Sequence, residues 1–519
     1  MGQKQVYNQF NGGLSIDDRE GNANQFSVDR DLDLYRNKGY LNPINALYNV
    51  GKDVNYGSEW TLPPTLDIIS DNITPQAFAL GNNGTIYRIK SLDTTPVIDT
   101  NFNGGHLASG IFDTCAGMIY GRGLLTSIAG VNNVFFAYKT AGSGMLRRII
   151  NLSSTPVLNT TYKSLSSGSQ VGETDIIEWN GSALGSSLWI TSGRYIDQYV
   201  MSTDTIYTSA SGGGFDLGDG WSATCLFTNQ NYLGIFATKK QTIGTFNSSY
   251  PSIFDTQCYI IDGSSTTQAI KMIPLTGINK VYACANVNGD IYFLADSRKS
   301  AHVLCKLTDT GYQVVRDLQI EISGVLQTFY APPFASAITV FNNKLLFGVG
   351  NYPIVFCYDI DNDALTFIIS DGLSGYINAV KNFTQNGFFV SLYTGSINRV
   401  ESFSLSGNTY NNYTASSNAI YKGLYTDLGQ KVSVNYIKVY FRPLVSGDSI
   451  TVTLDTNYGT SNIPQTNSGI ASYVNDGIIT FKKFDLGGID CHSFRPCVAW
   501  NSGRVSISKI VVDYDFIED

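Results

Sequence analysis

The chain has 519 residues and a formal net charge of −8, with 42 acidic against 34 basic side chains. That length exceeds what one hydrophobic core holds and predicts two or more domains, while the acidic balance argues against a nucleic-acid binder built on a basic patch. Only 15% of residues are charged, whereas 32 Tyr, 28 Phe and 51 Gly supply pleated-sheet and tight-turn chemistry, so an all-β protein is expected.

The start, "MGQKQVYNQFNGG", has no apolar run after its lysine, so no signal peptide is expected. Val6 stands where a myristoylation motif takes Ser or Thr. No apolar stretch is long enough for a transmembrane helix, so no membrane insertion is expected. Residues 1–60 read as an extended N-terminal arm. The stretch "NGGLSIDDREGNANQFSVDRDLDLYRNKGYLNP" is turn-rich and polar, with single apolar residues spaced along it. Phe10, Leu14, Ile16, Phe26, Leu32, Leu34 and Tyr35 are the candidate anchors. Each would fill a pocket on the chain's own surface or a neighbour's, or complete the first unit of the adjoining domain.

Residues 61–418 carry an internal repeat. A polar Asn/Gly/Ser turn precedes a short aromatic and branched run at Asn82, Asn132, Ser186, Gln230, Asn288, Asn342 and Gln385. These lie 43 to 58 residues apart, close to the roughly 40–50 residues of a four-stranded propeller blade. Asn-Gly and Asp-Gly pairs occur ten times, which fits many tight hairpins. About seven blades are predicted. "YPIVFCYDIDNDALTFIIS" reads as two strands joined by a turn at Asp361–Asp363, and "HVLCKLTDTGYQVVRDL" as the matching hairpin one unit earlier.

From Ala419 to Asp519 the texture changes. "SITVTL" alternates strictly, with Ile450, Val452 and Leu454 on one face and Ser449, Thr451 and Thr453 on the other. Several such segments in about 100 residues predict an antiparallel β-sandwich. The fold expected is therefore a propeller with an N-terminal arm and a C-terminal sandwich.

Catalytic signals are sparse. His106, His302 and His492 are far apart and none stands beside a recognisable nucleophile, and there is no Gly-x-Ser-x-Gly elbow. No paired carboxylates or sialidase-type boxes mark a glycosidase. "CHSFRPC" brings Cys491, His492 and Cys497 close, but a zinc site usually needs a second pair. Asp359, Asp361 and Asp363 imitate the start of a calcium loop, yet Ala364 stands where the turn takes Gly, so a hairpin is expected. The eight cysteines sit mostly in apolar runs and read as reduced, buried thiols. No enzyme activity, cofactor or metal is expected.

The layout resembles the β-propeller proteins of tailed-bacteriophage virions, such as the tail nozzle (tail tubular protein B) of short-tailed phages and the stabilisation protein that plugs the head-to-tail channel. The resemblance rests on the "FNGGLSIDD…DLDLYRNKGYLNP" arm, the seven-unit propeller and the "IYKGLYTDLG…VNYIKVYFRPLVSGDSITVTL" entry into a terminal sandwich. It implies a structural virion protein of the tail or neck, made in the bacterial host cytoplasm and acting in assembly and genome delivery. It implies contacts with other tail or neck proteins and a homo-oligomer, a ring of six being one form. DNA would pass nearby without specific binding, since the longest basic runs are isolated pairs such as Lys239–Lys240 and Lys482–Lys483. The alternative is a tail-tip adhesin gripping a host glycan or protein, with Trp221, Trp500 and the "NTYNNYTASSNAIY" segment as candidate stacking residues.

Overall fold

The structure is a computed structural model. It describes residues 3–8, 10, 25–30, 32, 40–41, 48–49, 65–71, 73–82, 84–92, 97–99, 102, 120–139, 144–159, 163–166, 174–181, 185–208, 213–229, 231–241, 253–263, 268–298, 302–322, 325–330, 335–370, 375–382, 387–393, 398–404, 419–456, 465–472, 480–503 and 505–517.

Seven antiparallel sheets of four or five strands follow one another among these residues. Their first strands are Thr65–Asp71, Tyr120–Ile128, Ile176–Trp179, Trp221–Asn229, Ile278–Val287, Ile338–Phe341 and Tyr376–Asn382. Each packs on the next in chain order, and the seventh packs on the first, so the sheets close into a ring. The fold is a β-propeller with almost entirely β content, as the Tyr, Phe and Gly usage predicts. A hairpin, Gln319–Ile322 with Val325–Thr328, is inserted between the fifth and sixth sheets.

The turns follow the residue chemistry. Between Ile278–Val287 and Asp290–Ser297, Asn288 and Gly289 both take positive φ, 54° and 98°. That is the mirror-image two-residue turn whose twist suits a hairpin, and glycine adopts it without a Cβ clash. Asn342 and Asn343 do the same between the first two strands of the sixth sheet. The described repeat turns near Asn132, Ser186, Asn288 and Asn342 fall between first and second strands of their sheets, whereas that at Asn82 joins the second and third strands of the first sheet; Gln230 and Gln385 lie outside the described residues. The first sheet's equivalent turn is Asp71–Gln76.

The seventh sheet takes its outer strand from the other end of the propeller. Tyr48–Asn49 pairs with Asn398–Ser404, Tyr48 opposite Ser402. The propeller is thus closed by a segment that precedes its first sheet.

The C-terminal unit is one eight-stranded sheet that folds over on itself. Its 22-residue strand Phe481–Ser502 pairs along its first half with Thr426–Phe441 and along its second half with Ser449–Thr456. Ile450, Val452 and Leu454 are buried, while Ser449, Thr451 and Thr453 are half-exposed, as the alternation predicts. They share a core with Val432, Val434, Ile437 and Trp500. Two further strands of this sheet come from the N-terminus. Gln3–Tyr7 pairs with Ile507–Phe516, and Phe26–Arg30 pairs with Ile420–Gly423.

Residues 1–60 therefore divide their described strands between the propeller and the terminal sheet rather than forming a unit of their own. Phe26–Arg30 also packs against Ala364–Ser370 of the sixth sheet and against the inserted hairpin. The result is one continuous apolar cluster. It contains Tyr7, Phe10, Phe26, Leu32 and Leu41, the terminal sheet's core, and propeller residues such as Leu294, Phe347 and Phe356.

Buried thiols are spread through these cores. Burial pushes Cys305 and Cys497 up to about 12 from an ordinary value of 9.0. Below pH 9 both folded and unfolded chains keep these protons, so the thiols leave stability unchanged. Above pH 9 the unfolded chain releases them first, so each thiol lowers stability progressively as pH rises toward about 12. Denaturant midpoints measured under reducing conditions are expected to hold from pH 7 to 9 and to fall steeply beyond it. Replacing both thiols by alanine would flatten the alkaline limb, and an unchanged limb would contradict the assignment.

Candidate functional site

The seven first strands enclose a cavity of about 500 Å³ on the propeller axis, to which each contributes two to four residues. Arg122, Asp175 and Lys381 line it, and the fully buried Asp67 stands beside Arg122 and Lys381. Asp67 lies on Thr65–Asp71, Arg122 on Tyr120–Ile128 and Lys381 on Tyr376–Asn382, while Asp175 stands just before Ile176–Trp179.

The two aspartates act alike. Asp67 Oδ1 accepts from the Ile68 N–H at 2.9 Å, and Oδ2 reaches forward to the Gly123 N–H of the next sheet at 2.8 Å. Asp175 Oδ1 accepts from Ile176 N–H at 2.8 Å, and Oδ2 reaches the Leu226 N–H of its next sheet at 2.7 Å. Each carboxylate staples neighbouring first strands and satisfies backbone donors that would otherwise be buried without partners.

The cations sit between them. Arg122 Nη1 is 3.2 Å from Asp175 and Arg122 Nε 3.7 Å from Asp67, and Lys381 Nζ is 3.4 Å from Asp67. Burial opposes the Arg122 charge, but Asp175 and Asp67 outweigh it and raise its pKa. Lys381 is lowered by burial and by the nearby Arg122 charge, which Asp67 only partly offsets. Gly123 lets the chain pass closely here: a Cβ would lie 2.5 Å from Ile69 Cγ1 and 2.6 Å from Phe136 Cε1. The cluster is formally neutral, and both carboxylates spend their lone pairs on backbone and cations. These contacts hold neighbouring sheets together.

The sequence carried a signal for this cluster. Thr65-Leu66-Asp67-Ile68-Ile69 and Thr174-Asp175-Ile176-Ile177 place an aspartate before the same Ile-Ile pair. A charge recurring at one place in an apolar run marks a buried, satisfied carboxylate.

Of the anchors, Phe10, Phe26 and Leu32 are buried and converge on the terminal sheet. Phe10 and Tyr421 meet edge-on with ring centroids 5.3 Å apart, and Phe26 lies 5.9 Å from the same ring. Leu14, Ile16, Leu34 and Tyr35 lie outside the described residues, as does His106. His302 is half-buried, its ring 5.0 Å from Tyr330, and burial lowers its pKa. Cys491 and Cys497 are buried, unbridged thiols on one strand, and period two turns His492 to the exposed opposite face. Asp359 Oδ1 accepts from the backbone N–H of Asp361 at 3.1 Å and Asn362 at 3.4 Å, so it shapes the hairpin. Trp500, a candidate stacking residue by sequence, is buried, and its Nε1–H donates to the Val505 carbonyl at 2.8 Å. Trp221 is half-buried against Tyr259. Residues 405–418, most of the Tyr-rich segment, lie outside the described residues.

Among solved structures the chain is similar to the β-propeller domain of Cps50 (Swd1) from Myceliophteria thermophila, at 9% identity over 66% of this chain and 97% of that one, with a TM-score of 0.43. It is also similar to the full extracellular region of plexin A4, at 9% identity over 70% of this chain and 51% of that one, with a TM-score of 0.42. No family model and no curated protein matches the chain. These likenesses concern the propeller fold alone.

Proposed function

We propose that this chain is a structural subunit that works through its outer surfaces, as a component of the tail or neck of a tailed-bacteriophage virion acting in assembly and genome delivery. The observation that carries the structural part is the N-terminal segment. Its strands complete both the seventh propeller sheet and the terminal sheet, and its aromatic side chains join the two cores. A propeller and sandwich locked in this way form a stiff block that can hold neighbours at fixed angles. The axial charges are spent on joining sheets, which leaves the exterior as the working surface. The virion assignment rests on the arm–propeller–sandwich layout read from sequence.

Native mass spectrometry with negative-stain imaging of the purified chain tests this. A closed ring of identical subunits, six being the expected number, or a ring formed on adding neighbouring tail proteins, supports it. A monomer under all these conditions that binds host cells would replace it with the adhesin reading.

A further inference from the structure

The outer face of the terminal sheet gathers cations that the sequence scatters. Its four strands there run in the order Gln3–Tyr7, Ile507–Phe516, Thr426–Phe441 and the first half of Phe481–Ser502. The register sets Lys438 directly beside Lys483, and Tyr440 between Lys509 and Phe481. Lys4 stands on the same face at the sheet's edge, and Arg442 continues the row.

Like charges placed opposite each other on a sheet destabilise it. Here the ammonium groups rest on rings. Lys438 Nζ lies 3.9 Å from the Phe481 centroid and 4.7 Å from that of Tyr440. Lys509 lies 5.6 Å from Tyr440, Lys483 4.2 Å from Tyr436, and the Arg442 guanidinium 4.7 Å from Tyr40. Four carboxylates of the described residues share the face, all in the rows of Ser433 and Tyr436 and none beside Tyr440. Asp485 pairs with Lys483 at 2.7 Å and Asp490 with Lys431 at 3.0 Å, while Asp513 and Asp515 each accept from Asn435 Nδ2 at 3.0 Å. Among the described residues no carboxylate lies within ion-pair distance of Lys438 or Lys509. In a chain of net charge −8 the Lys438–Lys509 end of this face is locally positive. Cation–ring contacts hold the charge in place without neutralising it. Phe481 is 48% exposed and offers an open ring edge and face beside the cations.

We propose that this face binds single-stranded nucleic acid. Phosphates meet the Lys438, Lys509 and Arg442 charges, and a base stacks at Phe481. A four-stranded face favours a single strand over a duplex. A duplex cylinder touches such a face along one line, whereas a flexible strand lies across every cation. The inference stands independently of the virion assignment.

The test is fluorescence anisotropy with the full chain and a labelled oligothymidylate of about 20 nucleotides. Engagement of three to four phosphates predicts micromolar affinity that weakens roughly 20- to 50-fold between about 50 and 200 mM salt. The double variant Lys438→Gln/Lys509→Gln would weaken binding about tenfold or more and reduce the logarithmic salt slope by about 1.4. Phe481→Ala would weaken it at every salt concentration without changing that slope. Both variants alter exposed or half-exposed side chains, and an unchanged thermal midpoint would show that the fold is kept. Absence of binding at about 50 mM salt, or binding that the double variant leaves intact, overturns the proposal. Equal affinity for duplex, or binding of dextran sulfate alone, overturns it as well.

Discussion

Replacing Phe26 by alanine is expected to cost about 3–5 kcal/mol, the range for removing a fully buried aromatic side chain. Phe26 has no solvent exposure and sits in the cluster that spans the terminal sheet and the propeller. Its ring packs on Tyr421, which also receives Phe10. The cavity would open where the two units meet, so both are expected to loosen together. Guanidinium unfolding followed by tryptophan fluorescence reports this, because Trp500 lies in the terminal sheet and Trp189 in the propeller. Val6→Thr, at a 37% exposed position, is the control and should change little. The same reasoning applies to fragments. Residues 419–519 alone lack both edge strands and the aromatic anchors, so they are expected to be insoluble or unfolded. Loss of signal in only one unit on Phe26→Ala, or a folded 419–519 fragment, would contradict a shared core.

Asp67→Ala is expected to destabilise by about 3–5 kcal/mol, the usual result of breaking a buried ion pair from one side. Four interactions go at once. The Ile68 and Gly123 N–H groups lose their acceptor, and Lys381 and Arg122 lose an anion. Lys381 is the more exposed to this loss, since burial already disfavours its charge. Adding Lys381→Met to the alanine variant should recover part of the stability by removing the stranded charge. A double-mutant cycle is therefore expected to give a coupling of about 1 kcal/mol or more. Additive effects would mean that the two groups do not interact. Arg122→Met should be less harmful than Asp67→Ala, because both aspartates keep their backbone donors.

Local order is well legible in the sequence. The alternation of Ile450, Val452 and Leu454 and the Asn288-Gly289 turn are read correctly, because side-chain period and backbone φ are set by neighbours in the chain. The phase of the repeat is harder to read. By composition Asn82 groups with turns between first and second strands, although it joins the second and third. Every tight hairpin draws on the same Asn and Gly chemistry, so composition does not say which turn of a sheet is seen. Pairings between distant segments leave no local mark. Nothing around Tyr48 announces Ser402 as its partner, nor around Gln3 announces Tyr514. For the same reason the pairing of Asp67 and Asp175 with Arg122 and Lys381, and the cationic face, escape sequence reading, although the recurring Asp-Ile-Ile marks the two aspartates. Lys438, Lys483 and Lys509 become neighbours only through strand register.

Hydrogen exchange of the isolated chain, read by mass spectrometry, tests most directly whether the N-terminal strands are part of the fold. Peptides covering Gln3–Tyr7 and Phe26–Arg30 are predicted to be protected to the same degree as their partners, Ile507–Phe516 and Ile420–Gly423. Exchange of both N-terminal peptides at the rate of an unstructured chain, while their partners stay protected, would contradict a block held together by its own first residues.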